Sequence, residues 1–189
     1  LMEMPDGKSL IVGSSQGNSL TFLDPKTGEL QKTVRNIEDP YQLAFSPDGK
    51  WFAVTCLRLN RVDLYNAADF KLVKRIPMGK LPSHLVYSAD SSRLVVTLQG
   101  SDQIAGVELA SQSVKWTMPV GTLPAGIWMT PDDRHLMVGI MGADYVEVID
   151  WRTRKTVQKI VTGKGAHNFL PMGDSRRLLV SNRVANTIS

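Results

Sequence analysis

An aspartate returns every 42 residues along this chain, at Asp6, Asp48, Asp90, Asp132 and Asp174. The slot before it holds Pro5, Pro47, Ala89, Pro131 and Gly173. Four residues after it comes Leu10, Phe52, Leu94, Leu136 or Leu178, and six after it a valine: Val12, Val54, Val96, Val138, Val180. Five registrations without an insertion define a repeat architecture, as a fixed period of roughly 40 residues does in general. The recurrence constrains fold far more than function.

The second repeat, residues 37–78, shows what one unit contains. Tyr41 to Phe45 reads as a short strand. Ser46-Pro47-Asp48-Gly49 reads as a turn, in which proline presets φ and glycine accepts positive φ. Trp51 to Cys56 is nearly all apolar, the pattern of a strand buried on both faces. Arg61-Val62-Asp63-Leu64-Tyr65 alternates at period two. After a turn at Ala67 to Phe70, the charged segment Lys71 to Ile76 suits an outer edge that must resist pairing with other sheets. The other repeats keep this order, and none carries a helical period. Four antiparallel strands per 42-residue unit predict an all-β fold, a β-propeller of four-stranded blades. Period-two alternation excludes a helical solenoid, and a sandwich has no reason to hold so strict a register.

Composition excludes several functions. Charge is balanced to a net of +4, and the basic residues are dispersed. Nucleic acid is not expected as a partner, because no basic stripe alternates with stacking aromatics. Cys56 is the only cysteine, so no intrachain disulfide forms, and cysteine usage does not decide the compartment. No apolar run approaches the roughly 18 residues of a membrane-spanning helix. No signal peptide is visible, although a start in mid-repeat at Leu1-Met2-Glu3-Met4-Pro5 leaves room for a removed leader.

The second strand of the last repeat ends Leu179-Val180-Ser181-Asn182, matched in phase by Val54-Thr55-Cys56, Val96-Thr97-Leu98, Val138-Gly139-Ile140 and Val12-Gly13-Ser14. Together with the proline-aspartate turn and the strand Tyr145-Val146-Glu147-Val148-Ile149-Asp150, this resembles the YVTN-type β-propeller repeats of bacterial proteins over essentially the whole chain. The resemblance implies a fold similar to surface-layer propellers, to sugar-lactone hydrolases and to the haem-binding propeller of a nitrite reductase. It also implies export to the periplasm or the cell surface. One fold hosting several functions does not choose among them.

Counted in blades, residues 37–78, 79–120 and 121–162 are whole, while 1–36 and 163–189 are partial. That is about four and a half blades, against the roughly seven expected of such repeats within a general range of about four to eight. The expectation is a single propeller segment of a seven-bladed ring; the alternative is a four-bladed closure in which the C-terminal strands complete the first blade. An open arc would expose apolar blade faces and favour self-association.

Repeat phase gathers the candidate site residues at one end of the blades, opposite the proline-aspartate turns. Tyr41, Gln42, His84, His167 and Asn168 fall on or just before first strands, which line the channel of a propeller. Arg58, Asn182 and Arg183 follow second strands. Gln42, His84 and Asn168 share one phase; His167 is one position out. A channel-mouth pocket is the default site for this architecture. Arg58 and Arg183 are the residues suited to clamping an anion. Cys56 ends an apolar strand and packs as a small hydrophobe. The repeated aspartates serve the blade rather than catalysis. The four tryptophans differ in phase and form no stacking row. No nucleophile elbow, phosphate loop or metal-ligand spacing occurs.

The functional expectation is a non-catalytic binding or scaffold propeller, with no cofactor and a protein or small ligand at the channel mouth. The alternative is a lactone hydrolase-like enzyme or a haem- or metal-binding redox protein using His84, His167 and Arg183.

Overall fold

The structure is a computed structural model and describes residues 1–174 and 176–189. Its strands form five antiparallel sheets. The first contains β1 (Met2–Glu3), β2 (Leu10–Ser14), β3 (Ser19–Leu23) and β4 (Leu30–Arg35). The second contains β5 (Pro40–Phe45), β6 (Trp51–Cys56), β7 (Arg61–Asn66) and β8 (Leu72–Pro77). The third contains β9 (Pro82–Tyr87), β10 (Arg93–Leu98), β11 (Gln103–Glu108) and β12 (Ser113–Pro119). The fourth contains β13 (Pro124–Met129), β14 (His135–Ile140), β15 (Tyr145–Asp150) and β16 (Lys155–Val161). The fifth contains β17 (Ala166–Pro171), β18 (Leu178–Asn182) and β19 (Thr187–Ile188). Each sheet is ordered as the chain runs, and the one helical element among the described residues is a single 3₁₀ turn, Gln99–Ser101.

This is the propeller of antiparallel blades that the repeat predicts, but with five blades, four of them four-stranded and the last three-stranded among the described residues. The expectation of about four and a half blades from a seven-bladed ring is wrong, and so is the four-bladed alternative. Met2–Glu3 pairs with Leu10 and Ile11 and supplies the first blade's missing strand. Thr187–Ile188 pairs with Ser181 and Asn182, so the C-terminal strands build their own sheet. Both strands are two residues long, too short for a periodic pattern to reveal.

The second strands β6 and β10 are buried on both faces because each face meets a different neighbour. In β6, Ala53 joins Val62, Leu64, Leu94 and Val96 between the second and third blades. Its neighbours Phe52 and Val54 join Ile11, Leu20 and Phe22 between the first and second. β10 repeats the division: Leu94 and Val96 face backward, while Val95 faces forward with Ile104, Leu136 and Val138. Fully burying one such side chain is worth about 1.5–3 kcal/mol, so these joints carry most of the stabilisation. The last joint is the least apolar, with Val146, Ala166 and Val180 at its centre.

Polar clamps set the spacing between blades. Asn18, Asn60 and Asp102 sit in hairpin turns with positive φ. Each accepts, through Oδ1, the backbone N–H at the entry to the next blade: Asp39 at 3.0 Å, Leu81 at 2.9 Å and Leu123 at 2.8 Å. At the other end the repeated aspartates close their own turns. Asp48 accepts from Ser46 Oγ at 2.6 Å and from the Lys50 N–H at 3.1 Å. The Ser88 hydroxyl, followed by the Ser92 N–H and hydroxyl, brings the Asp90 carboxyl down to about 2.

Every first strand of blades two to five carries a bulge near its start. A bulge leaves an N–H that the ladder cannot pair. A hydroxyl from the second strand takes it: Thr55 for Gln42 at 2.9 Å, Thr97 for His84 at 3.0 Å and Ser181 for Asn168 at 3.1 Å. The Thr55 and Thr97 hydroxyls also donate onward, to the carbonyls of Ser83 at 2.9 Å and Ala125 at 2.8 Å in the next blade. Replacing Thr97 with the near-isosteric valine strands both partners in a buried joint. Thr97→Val should cost about 1–3 kcal/mol in urea unfolding, whereas Ser181→Ala, at an exposed position, should cost clearly less; equal costs would mean that the onward bond to the next blade contributes nothing.

Candidate functional site

The inner strands β5, β9, β13 and β17 touch in succession and bring three rings together. His84 lies edge-on to His167, with centroids 5.4 Å apart, and Tyr41 stands edge-on to His84 at 5.8 Å. His84 and His167 belong to the third and fifth blades, with β13 between them. At this level β13 contributes only Ala125 and Gly126, so no bulky side chain separates the rings. Gly126 is required: a Cβ there would lie 2.1 Å from the His167 carbonyl oxygen. The bulges explain why two histidines one position out of phase meet, because each puts two first-strand residues opposite one second-strand residue.

The two imidazoles differ in setting. His84 is 6% exposed, and its Nδ1 lies 3.2 Å from Ser83 Oγ, which in turn lies 3.0 Å from Thr97 Oγ1. Burial, and secondarily His167, pulls its pKa down to about 4. His167 is half-buried; burial first and Arg183 second lower its pKa as well. Ser83 beside His84 has the look of a nucleophile and base. Yet Ser83 is fully buried, its hydroxyl is engaged with Thr97, and among the described residues the partner of the His84 ring is Ser83 rather than a carboxylate.

The remaining expected residues divide. Arg183 is exposed, reaches Met141 Sδ at 3.8 Å, and lines a cavity of about 450 Å³ with His167, Asn182 and Asn186. Asn182 is buried; its amide donates to Thr187 Oγ1 and Ser189 Oγ, while its Oδ1 has no partner. Gln42 lies beside the row, with Oε1 accepting the Leu85 N–H at 2.6 Å. Asn168 is exposed and bonds the Phe169 N–H. Arg58 is not in the cluster. It is tied to Asp39 and to the Ser15 carbonyl and lines a separate cavity with Asn18 and Asp39. The sequence reading missed the Ser83–Thr97 hydroxyl pair and the part played by Gly126. The glycine standing in the row Gln42, His84, Gly126, Asn168 was the available signal.

Chemically the cluster offers two neutral nitrogen donors, three ring edges and one rim cation. Among the described residues no group of three or more His, Cys, Asp and Glu is placed to share a metal ion. Haem does not fit the pair, because His84 is covered by Tyr41 and His167 and has no open side for a macrocycle. Cys56 has no role here. It is fully buried, and burial, then Asp63, pushes its thiol up to about 12.

Sheets of this order, hinged at the inner strands and clamped turn to turn, define a β-propeller. The chain belongs to the YNCE-like β-propeller family, whose model matches residues 1–189. No curated protein matches the sequence. Among solved structures, the Kuenenia stuttgartiensis hydrazine synthase is similar at a TM-score of 0.83 and 21% identity, over 94% of this chain and 53% of that one. The chain therefore spans about half of that protein's length, and the likeness is one of fold.

Two outcomes follow from the burial of these groups. The folded pKa of His84 lies below its ordinary 6.5, so the unfolded chain takes up the proton first as pH falls. Its neutral form contributes stability that is intact above about pH 6.5 and lost toward about pH 4, on the order of 3 kcal/mol in full. His84→Gln should flatten that part of the urea-unfolding curve; an unchanged slope would contradict the burial of the ring. Cys56 should resist a maleimide until denaturant is added, and rapid labelling of the folded protein would overturn its placement in the joint.

Proposed function

We propose that this propeller is a non-catalytic binding module whose ligand docks at the inner-strand mouth, against Tyr41 and His167, with Arg183 at the rim. The observation that carries this reading is the meeting of His84 and His167 from different blades across Gly126. A pair assembled by three separate strands is a built feature, and its neutral rings form a wall for a planar ligand group. Arg183 gives the rim one cation with planar donors that match a carboxylate. Together these favour a small monoanion with a flat portion. Binding is favoured over turnover by the closing off of Ser83, whose hydroxyl is buried and engaged with Thr97. Export to the periplasm or cell surface, implied by the repeat resemblance, would place the mouth in contact with external solutes. No helix among the described residues is long and apolar enough to cross a membrane.

A ligand that binds only the folded state raises its melting temperature. Aromatic monocarboxylates such as benzoate derivatives, added at millimolar level, should raise Tm of the wild type. Arg183→Ala and His167→Ala should each abolish the shift. A shift that survives both substitutions rejects this site, and ester or lactone hydrolysis that disappears in His84→Gln would replace binding with catalysis.

A further inference from the structure

At the opposite end of the blades, a groove of about 470 Å³ runs between the third and fourth, with Trp116 on one wall and Trp151 on the other. Phase arithmetic does not bring these tryptophans together, because neighbouring blades contribute non-equivalent positions to a shared groove. Both indoles are held in place. Trp116 lies over Gly106 on the adjacent strand, so close that a Cβ there would meet its ring at 2.1 Å. Trp151 Nε1 donates to the Asp133 carbonyl at 3.0 Å, and the Arg152 guanidinium stacks 5.1 Å from its ring.

The charges of the lining do not cancel. Arg93 and Lys115 both lean on the single carboxylate of Glu108, at 2.8 and 3.4 Å. Arg152 is paired outside the groove with Asp133 at 2.9 Å. The Asp90 carboxylate accepts from Ser88 and Ser92 of its own turn through Oδ1 and keeps its charge, which leaves the lining with four cations against two carboxylates. Among the described residues Arg154 has no carboxylate within ion-pair distance. Fixed tryptophans beside arginines are the residue types that dominate binding energy at protein interfaces. We propose that this groove docks an acidic peptide segment carrying an apolar anchor, the anchor against the indoles and its carboxylates on Arg154 and Lys115. Glu108 and Asp90 on the same wall disfavour a continuous phosphate backbone, whereas a peptide can place its charges only where cations stand. The site is separate from the histidine mouth and stands or falls without it.

The test uses a fluorescein-labelled pentapeptide, glutamates around a central phenylalanine, titrated against the folded protein by fluorescence polarisation. Binding should saturate and weaken as salt rises. Arg154→Asn keeps a residue suited to the left-handed φ of 57° found there, and should weaken binding roughly three- to fivefold. Lys26→Asn, which removes the same charge on a distant turn, should leave it unchanged. Absence of saturable binding, or equal loss in the two variants, overturns the proposal. Tighter binding of an oligothymidylate of equal charge overturns it in favour of nucleic acid.

Discussion

The rest of the molecule depends on a hydroxyl that satisfies a bulge. Each inner strand from the second blade onward carries one residue too many for its partner. The N–H left over would cost about 1–3 kcal/mol if buried without an acceptor. Thr55 and Thr97 accept it and pass their own protons to a carbonyl of the following blade. One atom thus fixes both the irregularity inside a blade and the distance to the next. Where the position is Gly139, a Cβ would stand 2.9 Å from the Ala166 carbonyl, so the neighbouring strand closes in directly. The valine-threonine pair of the second strand therefore has a physical reading: the valine fills a joint, and the threonine spans it.

The arrangement also separates what can vary from what cannot. Joints between blades are made of repeated apolar faces, turn amides and hydroxyl bridges, all set by phase. Apart from the repeated aspartates and the clamp residues Asn18, Asn60 and Asp102, residues at the two ends of the blades lie outside this scheme and differ from one repeat to the next. A structural likeness at 21% identity is what such a division produces, since the framework can persist while the ends diverge. The charged groups near the framework are held within it. Asp63 is fully buried yet paired with Arg61 at 2.7 Å, and Arg61 also bridges to Glu38.

The repeat, the turns and the strand order were legible in the sequence because each rests on local chemistry recurring at a fixed interval. The blade number was not, since it turned on Met2–Glu3 and Thr187–Ile188, which are too short for any alternation to register. His84 was placed on the inner strand correctly, but its meeting with His167 was hidden: a bulge breaks period two at that point, and residues assigned to opposite faces come to share one. Arg58 shared the right end of the blade with Arg183, yet Asp39 captures it, and a partner 19 residues away leaves no local mark. The tryptophan groove escaped for a different reason, since it joins the outer strand of one blade to a turn of the next.

The ring of His84 sits so deep that it stays uncharged well into mildly acidic conditions. Most surfaces that rely on histidine change character between neutral and acidified surroundings. The deeper of the two histidines therefore keeps its neutral form across that interval, a constancy that belongs to the buried ring alone.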